Sequence, residues 1–384
     1  MRLLYLTYGT HSGIVTSHCA GLRSHGVEVD IFDAAAGFDY RSAKIRMPSL
    51  HPANVLNSFI AVKRYGRDWR WFYRRTDFAF RWMSRRASQF WLKNENRFDA
   101  VLQSGALFNG APSREKRSVP FLMHLDHTYA ISKRAQPVAG VKDSRPASAV
   151  WEAMEHATYR DADLIFTMSE FVRQSLIQDY AVAAESVVRV GGGPNLAVLP
   201  ELTKNQALGP VVLFVGKDFS RKGGPTVMEA FTKVRAKLPE AELLIVGPKD
   251  VPAAPGVTSF GLLSHSEMPP LYERSRVFVM PSWREPYGIA FIEAMAYGLP
   301  CIGSRIEAIP EIIDESFTGC LVEPGDADGL AATLLKLLCD RDWAGALGAA
   351  GRLKVESELN WEHVTETMLS AITEVVHKSR KPSR

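Results

Sequence analysis

The most informative part of the chain is residues 281–310, which read PSWREPYGIAFIEAMAYGLPCIGSRIEAIP. The apolar run Arg276–Met280 directly before it is typical of a buried strand. Pro286 prevents an earlier helix start, so a helix is predicted over Gly288–Tyr297. Gly298 then favours the left-handed conformation that ends helices. The stretch therefore predicts strand, loop and helix in succession, as in a parallel α/β sheet.

The predicted helix start is a candidate phosphate site. The amides of Gly288, Ile289 and Ala290 lie in the first turn, where no helical carbonyl can accept their hydrogen bonds. They follow the carboxyl end of a strand, which is where ligands bind in open α/β sheets. A helix N-terminus at that edge suits an anion such as phosphate.

Two glutamates flank this helix start. Glu285 lies on the approaching loop and Glu293 lies eight positions on, inside the helix, so both can face the same crevice. Because a carboxylate would repel a phosphate, sugar hydroxyls are its natural partners there. The alternative is that Glu285 only caps the helix and Glu293 lies on a solvated face. The spacing alone leaves both interpretations open.

A second candidate segment is Val211–Phe231, VVLFVGKDFSRKGGPTVMEAF. A strand leads into a glycine-containing turn that carries Lys217 and Lys222, and a helix begins near Pro225. Compact ammonium groups at the carboxyl end of a strand suit a diphosphate. The glycine, lysine and hydroxyl order of a Walker loop is absent, and a basic solvated turn is the competing interpretation.

Short apolar runs alternate with helical patterns along the whole chain, which predicts an α/β protein with two doubly wound halves. The predicted strands are Leu3–Leu6, Val27–Ile31, Ala100–Gln103, Phe121–His124, Leu164–Met168, Val211–Val215, Glu242–Val246, Arg276–Met280 and Cys301–Ser304. Residues 58–93 are predicted as one long, basic, aromatic-rich helix. The loop-rich stretch between Gly191 and Gly209 is the predicted linker.

Composition excludes several classes of protein. The chain has 384 residues, enough for two or three domains, and 23% of them are charged, as in ordinary globular proteins. Four scattered cysteines lack metal-ligand spacing and favour a reducing compartment. No apolar run suits a signal peptide or a membrane span, so we expect a cytoplasmic protein.

The net charge of +4 conceals an uneven distribution. Residues 41–97 contain 14 basic residues against three acidic ones, so the remainder of the chain is acidic. Between Lys63 and Lys93 the basic residues are interleaved with Trp69, Trp71, Phe72, Tyr73, Trp82, Phe90 and Trp91. This pattern suits an anionic membrane surface, although the aromatic residues could equally pack inside the domain. Nucleic-acid binding is disfavoured because no recognised module is present.

The combined motifs resemble the retaining, nucleotide-sugar-dependent glycosyltransferases of family 4, which have the two-domain GT-B fold. The resemblance rests on Glu285-Pro-Tyr-Gly through Glu293-Ala-Met-Ala-Tyr-Gly-Leu-Pro, a Glu-x7-Glu pattern. It extends over Phe214-Val-Gly, Arg221-Lys-Gly-Gly224, Thr318-Gly319 and Val322-Glu-Pro-Gly-Asp326. It covers most of residues 160–340 and implies two Rossmann-like domains that face each other across a cleft.

The resemblance also implies donor-side roles. Glu285 would bind the donor sugar and Glu293 the ribose, and the base would lie near Gly261 and Leu262. The diphosphate would be bound by Lys217, Lys222 and the amides of Gly288, Ile289 and Ala290. The family usually has arginine where Lys217 stands, and a glycine pair where Glu307 and Ala308 stand. No cofactor is implied beyond the donor, a nucleotide-diphosphate sugar for which UDP or GDP is favoured.

On the acceptor side, the loop from Gly9 to Gly13 matches the family's glycine-bearing loop, without its usual double glycine. Asp126 and His127 follow a strand and are the candidate catalytic residues there, together with Glu285 of the donor side. His124 precedes them within an apolar strand and is interpreted as an interior histidine. The predicted domains are residues 1–196 with a returning C-terminal helix at about 361–384, on the acceptor side, and residues 197–360, on the donor side.

No metal site is predicted. The pairs Asp161/Asp163 and Asp326/Asp328 fit helix ends better than metal ligands. The expected function is therefore metal-independent, retaining transfer of a hexose-type sugar to a hydroxyl acceptor, such as a lipid-linked or cell-envelope glycan at the inner face of a membrane. The alternatives are a nucleotide-sugar epimerase of the same fold and a non-catalytic partner subunit.

Overall fold

A computed structural model describes residues 1–9, 13–38, 51–70, 72–135, 138, 147–202 and 209–380. The described residues divide into two compact units. Those within Met1–Ala135, Ser144–Val190 and Thr365–Arg384 form the first unit, and those within Gln136–Asp143 and Gly191–Val364 form the second. None of the helices in the described ranges is long and apolar enough to cross a membrane.

The first unit is a six-stranded parallel sheet with helices. Its elements are β1 (Arg2–Thr7), α1 (Ile14–Ser24), β2 (Glu28–Asp33), α2 (Pro52–Tyr65), α3 (Asp77–Lys93), β3 (Ala100–Ser104), β4 (Phe121–Leu125), α4 (Tyr129–Arg134), α5 (Ala149–Asp161), β5 (Leu164–Thr167), α6 (Glu170–Tyr180) and β6 (Val187–Arg189). The strand order is β2-β1-β3-β4-β5-β6. Every residue of β3 and β4 is buried, because helices cover both faces of a parallel sheet.

The second unit repeats this architecture. Its elements are β7 (Val211–Val215), α7 (Gly224–Lys237), β8 (Glu242–Val246), β9 (Val257–Gly261), α8 (Pro269–Arg274), β10 (Val277–Met280), α9 (Ile289–Ala296), β11 (Cys301–Ser304), α10 (Ile309–Ile312), β12 (Gly319–Val322), α11 (Ala327–Cys339) and α12 (Arg341–Ser357). The last helix, α13 (Trp361–Arg380), starts in this unit, and its residues from Thr365 belong to the first.

The strand order of the second sheet locates its ligand edge. The order is β12-β11-β10-β7-β8-β9, so the chain first builds outward from β7 and then returns to the other side of it at β10. In open α/β sheets, ligands bind at the carboxyl ends of the strands where the order reverses. The loops that follow β7 and β10 are therefore the expected binding loops, and they carry both candidate donor segments.

The alternation of apolar runs correctly predicts two α/β units with parallel sheets. Val211–Val215, Glu242–Val246 and Cys301–Ser304 are strands at the predicted bounds. The pattern did not identify β6, β9 and β12, which are short or lie at sheet edges, nor the helix α12.

The prediction of one helix over residues 58–93 was wrong. The described part of that segment contains the end of α2, two single turns and then α3. Gly66 ends α2 with a positive φ of 56°, which a helix interior does not allow. Thr76 restarts the helix, because its hydroxyl accepts a hydrogen bond from the amide of Ala79. Gly66 and Thr76 therefore divide the segment into two helices, although its overall composition favours one.

Gly223 brings the two binding loops of the second unit together. It caps α7 with a φ of 78°, and a Cβ added there would lie 2.0 Å from the carbonyl oxygen of Pro281, directly after β10. Only glycine accommodates both the backbone conformation and the contact. The approach of the β7–α7 loop to the β10–α9 loop depends on this residue.

We predict that Gly223→Ala lowers the free energy of unfolding by about 2–4 kcal/mol, because it adds a steric clash to an unfavourable φ. The control is Gly345→Ala, in the exposed interior of α12 with no atom near its added Cβ, which should stabilise by about 0.5–1 kcal/mol. Urea unfolding measures both values. Equal stabilities for the two variants would contradict the proposed contact.

Candidate active site

The loops after β7 and β10 are joined by hydrogen bonds. The guanidinium of Arg221 donates to the carbonyl of Arg284 at 2.7 Å, and the amide of Trp283 donates to the carbonyl of Arg221 at 2.8 Å. Asp218 accepts from the backbone amide of Arg221 at 3.3 Å. The residues at this edge of the sheet are therefore held by two elements at once, which keeps their side chains in place.

An ion pair between Lys222 and Glu285 lies where these loops meet. The ammonium of Lys222 donates to Oε2 of Glu285, and the two side chains are only 14% and 7% exposed. Ser282 donates to the same oxygen at 3.4 Å. Burial lowers the pKa of Lys222, while the charge of Glu285 opposes that shift. The structure thus brings together two of the predicted site residues as a poorly hydrated pair of opposite charges.

Glu307 holds the backbone of this site, a role that the sequence did not indicate. Its Oε2 accepts the amide hydrogen of Glu285 at 2.6 Å. Burial raises the pKa of Glu307. Its φ of 45° is unusual for a residue with a side chain, and the glycine pair that the sequence resemblance leads one to expect here was the available signal. The side chain of Glu307 therefore orients the loop that carries Glu285.

The start of α9 has the predicted form of an anion site. Gly288 precedes the helix with a φ of 112°, no side chain caps it, and no acidic residue occupies the first turn. The amides of Gly288, Ile289 and Ala290 lie too early in the helix to donate to a helical carbonyl four positions before them. A Cβ added at Gly288 would lie 2.9 Å from a ring carbon of Phe291. The absence of a side chain therefore lets the backbone at Gly288 lie this close to Phe291.

Lys217 follows β7 by two residues and is exposed. No hydrogen bond or ion pair engages its ammonium among the residues that the structure describes, in contrast to Lys222. The two lysines therefore differ: one is buried in an ion pair, and the other faces solvent at the same sheet edge.

Glu293 has partners that the sequence did not predict. One of its carboxylate oxygens accepts the amide hydrogen of Asn195 at 3.3 Å, and the other accepts from the hydroxyl of Tyr272 at 3.2 Å. Tyr272 in turn stacks on Tyr297, with ring centroids 4.8 Å apart. Burial raises the pKa of Glu293. The interpretation of Glu293 as a solvated surface residue was therefore wrong.

The predicted base-binding residues lie at the end of β9. Gly261 has a φ of 67°, and its carbonyl accepts the amide hydrogen of Gly247 at 2.8 Å, directly after β8. Leu262 is exposed. Because all strands of this sheet are parallel, these residues share the sheet edge with the loops after β7 and β10.

In the first unit, the described ends of the predicted acceptor loop are Gly9 and Gly13, and residues 10–12 between them lie outside the described residues. Gly9 has a φ of 139°, and Gly13 caps α1 with a φ of 87°. Arg74, which sequence reasoning missed, donates from its guanidinium to the carbonyl of Tyr8 at 2.7 Å. This contact joins residues 66 positions apart, so no local signal could have found it.

Asp126 and His127 follow β4 in the same unit. Nε2 of His127 is 2.7 Å from the hydroxyl oxygen of Ser132. Burial raises the pKa of Tyr8, and the charge of Asp126 adds to that shift. His124 is buried and packs edge-on against His18, with ring centroids 4.4 Å apart, as predicted for an interior histidine.

Of the two Asp-Ala-Asp pairs, Asp161 and Asp326 lie at helix ends as predicted, whereas Asp163 contacts the start of β4. Asp326 caps α11 by accepting the amide hydrogen of Gly329 at 2.8 Å. Asp163 accepts from the amide of Phe121 at 2.8 Å and pairs with Arg117. Asp161 is the last residue of α5.

The aromatic residues between positions 63 and 93 pack in the interior of the first unit. Phe72, Tyr73 and Trp91 are buried in its core, and the half-buried Trp69, Trp82 and Phe90 pack against that core. Trp71 lies outside the described residues. Interior packing is therefore confirmed for Phe72, Tyr73 and Trp91, whereas contact of the basic segment with a membrane surface stays a prediction.

Glu155 is a buried carboxyl that the sequence did not single out. It accepts hydrogen bonds from the hydroxyls of Tyr159 at 2.9 Å and Tyr180 at 2.6 Å, and from the amide of Tyr129 at 3.1 Å. Burial raises its pKa to about 7, and these hydrogen bonds oppose the shift. The group joins α4, α5 and α6.

Comparison with protein families assigns both units. Residues 13–193 match the family described as glycosyl transferase 4-like domain, and residues 209–340 match glycosyl transferases group 1. The first match lies almost wholly in the first unit and the second lies in the second unit, so each unit is similar to a glycosyltransferase domain.

Individual relatives are more distant. A GDP-mannose-dependent alpha-(1-6)-phosphatidylinositol monomannoside mannosyltransferase of Mycobacterium tuberculosis is 33% identical over 189 residues, which are 44% of this chain and 49% of the relative. A sulfoquinovosyl transferase of Arabidopsis thaliana is 31% identical over 228 residues, 54% of this chain and 44% of the relative. The matches thus span about half the length of these curated relatives.

Solved structures agree with the fold over nearly the whole chain. Sucrose-phosphate synthase of Thermosynechococcus elongatus superposes with a TM-score of 0.72 at 20% identity, covering 98% of this chain and 100% of that one. A glycosyltransferase of Rickettsia africae gives 0.63 at 17% identity, covering 98% of each chain. The two Rossmann-like domains are therefore those of the GT-B fold.

The ion pair can be tested by stability. Because breaking a buried pair leaves one charge without compensation, we predict that Lys222→Met and Glu285→Gln each lower the free energy of unfolding by about 3 kcal/mol. The double variant should cost less than the sum of the two by more than about 1 kcal/mol. The exposed Lys233–Glu229 pair, whose lysine also contacts Asp328, is the control and should affect stability far less. Additive losses at positions 222 and 285, in urea unfolding, would contradict the pairing.

The raised pKa of Glu155 implies that the stability of the fold depends on pH. Its folded pKa of about 7 lies above its ordinary value of 4.5, so between these values the folded state retains a proton that the unfolded state has lost. The contribution of this carboxyl is complete below about pH 4.5 and is lost as the pH rises through 7. Relative to Glu155→Gln, the wild type should therefore lose stability between pH 4.5 and 7. A constant difference across that range, measured by denaturant unfolding, would refute the raised pKa.

Proposed function

We propose that the protein is a retaining glycosyltransferase that moves a hexose-type sugar from a nucleotide-diphosphate sugar to a hydroxyl acceptor. The observation that carries the proposal is the buried Lys222–Glu285 pair at the point where the strand order of the second sheet reverses. The uncapped start of α9 lies on the same loop as Glu285. A cation, a carboxylate and free amides at one ligand edge suit a molecule with both phosphate and sugar hydroxyls.

The diphosphate of the donor binds to the cationic part of this site. Lys222 is poorly hydrated, so its charge acts on a phosphate with little screening by water. Lys217 and the amides of Gly288, Ile289 and Ala290 add donors from the same sheet edge. As the bond between the sugar and the phosphate breaks, negative charge grows on the leaving diphosphate, and these groups stabilise it without a metal ion.

The carboxylate of Glu285 binds the sugar of the donor. With no donor bound, its carboxylate neutralises Lys222, and the arrival of a phosphate supplies Lys222 with another anion. Glu285 then accepts hydrogen bonds from sugar hydroxyls, while Glu307 keeps its backbone in place. The pair therefore exchanges partners when the donor binds.

Glu293 binds the ribose hydroxyls, and the base lies along Gly261 and Leu262. The hydroxyl of Tyr272 holds one carboxylate oxygen of Glu293, which orients the group. The relative from M. tuberculosis is described as GDP-mannose-dependent, whereas a structural neighbour from Anabaena is described in complex with UDP-glucose. Both nucleotides are therefore candidate donors.

The first unit supplies the acceptor side and the second unit supplies the donor side. Asp126, His127 and the loop between Gly9 and Gly13 position the acceptor hydroxyl. In retaining transfer the acceptor attacks the face that the diphosphate leaves, and a phosphate oxygen accepts its proton. Asp126 and His127 then act by positioning.

A lipid-linked or cell-envelope glycan is the proposed acceptor. The names of the relatives include a phosphatidylinositol monomannoside mannosyltransferase and an O-antigen chain mannosyltransferase. The exposed basic residues of the segment 63–93 favour an acceptor at an anionic surface, on the cytoplasmic side of a membrane.

The proposal predicts that Lys222→Ala and Glu285→Ala each lower transfer at least 100-fold while the fold persists, because each removes a contact to the reacting part of the donor. The assay is release of nucleotide diphosphate from a panel of UDP- and GDP-sugars with lipid-linked acceptors, and circular dichroism checks folding. Lys233→Ala and Glu229→Ala, exposed on α7, are the matched controls and should retain wild-type rates.

Two results would overturn the proposal. Absence of nucleotide release with every donor and acceptor would indicate a non-catalytic subunit. Conversion of the donor without any acceptor, giving an isomeric sugar, would indicate an epimerase.

A further inference from the structure

Helix α2 exposes its large apolar side chains. Its buried residues are Asn54, Asn57, Ala61 and Tyr65, whereas four large apolar side chains face solvent. These four are Val55, Leu56, Phe59 and Val62, with exposed fractions of 51, 48, 69 and 46%. A helix that meets only water on its outer face has the opposite arrangement.

Hydrogen bonds fix this orientation. The side-chain amide of Asn54 donates to the carbonyl of Gly37 at 2.9 Å, and that of Asn57 donates to the carbonyl of Tyr73 at 2.7 Å. The hydroxyl of Tyr65 donates to the carbonyl of Arg75 at 2.9 Å. Rotating the helix to bury its apolar residues would break these hydrogen bonds, so the outward stripe is a fixed property of the unit.

The apolar residues form a continuous stripe. Val55, Phe59 and Val62 are spaced by four and three positions, so they lie on one side of the helix, and Leu56 adjoins them. Other exposed large apolar residues of the described chain lie singly, as Phe317 and Leu353 do, or in pairs such as Phe260 and Leu262. A clustered apolar surface indicates an interaction site, whereas isolated residues do not.

Positive charge adjoins the stripe. Lys63, Arg64, Arg67 and Arg70 are exposed at the end of α2 and just after it, and the helix itself contains no acidic residue. An apolar helix face next to a cluster of cations is complementary to a membrane with anionic lipids, in which the apolar side chains enter the interface and the cations meet the headgroups.

We propose that α2 is a membrane-docking helix that inserts Val55, Leu56, Phe59 and Val62 into the interface of an anionic lipid surface. This assigns membrane contact to residues other than the aromatic ones of the segment 63–93. The inference deepens the proposed function by placing the acceptor domain at a lipid surface. Docking itself requires no turnover, so it can be tested whether or not sugar transfer occurs.

The test is co-sedimentation of the full chain with vesicles of phosphatidylcholine alone or with 30% phosphatidylglycerol. We expect binding to the anionic vesicles that weakens as salt is raised. Phe59→Ser should weaken this binding about tenfold or more, because it removes the most exposed apolar side chain of the stripe. Phe317→Ser is the matched control, 65% exposed in the second unit, and should bind as the wild type does.

Two further variants test how much positive charge contributes to vesicle binding. Lys63→Glu should weaken binding to anionic vesicles and reduce its salt dependence, whereas Lys237→Glu, exposed at the end of α7, should not. Lack of binding to any vesicle would overturn the proposal, as would equal effects of Phe59→Ser and Phe317→Ser. A concentration-dependent dimer that Phe59→Ser abolishes, without vesicle binding, would instead assign the stripe to a second copy of the chain.

Discussion

The candidate active site depends on one ion pair, between Lys222 and Glu285. Each residue follows a different strand of the second sheet, β7 or β10, and the pair lies where the strand order reverses. Burial makes either charge costly alone, so each residue requires the other until a ligand arrives. A ligand that carries both an anion and hydroxyl groups satisfies both residues, which is the chemistry of a nucleotide-diphosphate sugar.

The surrounding structure serves to keep that pair in place. Gly223 permits the close approach of the two loops, Arg221 joins them, and Glu307 holds the backbone of Glu285. At the same edge, α9 presents an uncapped N-terminus, and Glu293 is oriented by Tyr272. Positioning groups of this kind lower the cost of organising a site during the reaction, since they are already fixed before the substrate binds.

Local sequence signals predicted what is local in the structure. Pro286, Gly288 and Gly298 indicate where α9 begins and ends, and apolar runs indicate the central strands. The partners of Glu293 and the contact of Arg74 with Tyr8 join distant parts of the chain, so no spacing rule reveals them. The aromatic residues between 63 and 93 were ambiguous for a related reason: composition indicates that a side chain is apolar, but not whether it faces the core or the solvent. In α2, by contrast, the apolar side chains of the stripe face the solvent.

A structure of the protein with a bound nucleotide-diphosphate sugar tests the central claim most directly. The account predicts a phosphate oxygen within about 3 Å of Nζ of Lys222, a second on the amides at the start of α9, and the carboxylate of Glu285 moved from Lys222 to the sugar hydroxyls. A diphosphate bound away from these groups, with the Lys222–Glu285 pair intact, would contradict it.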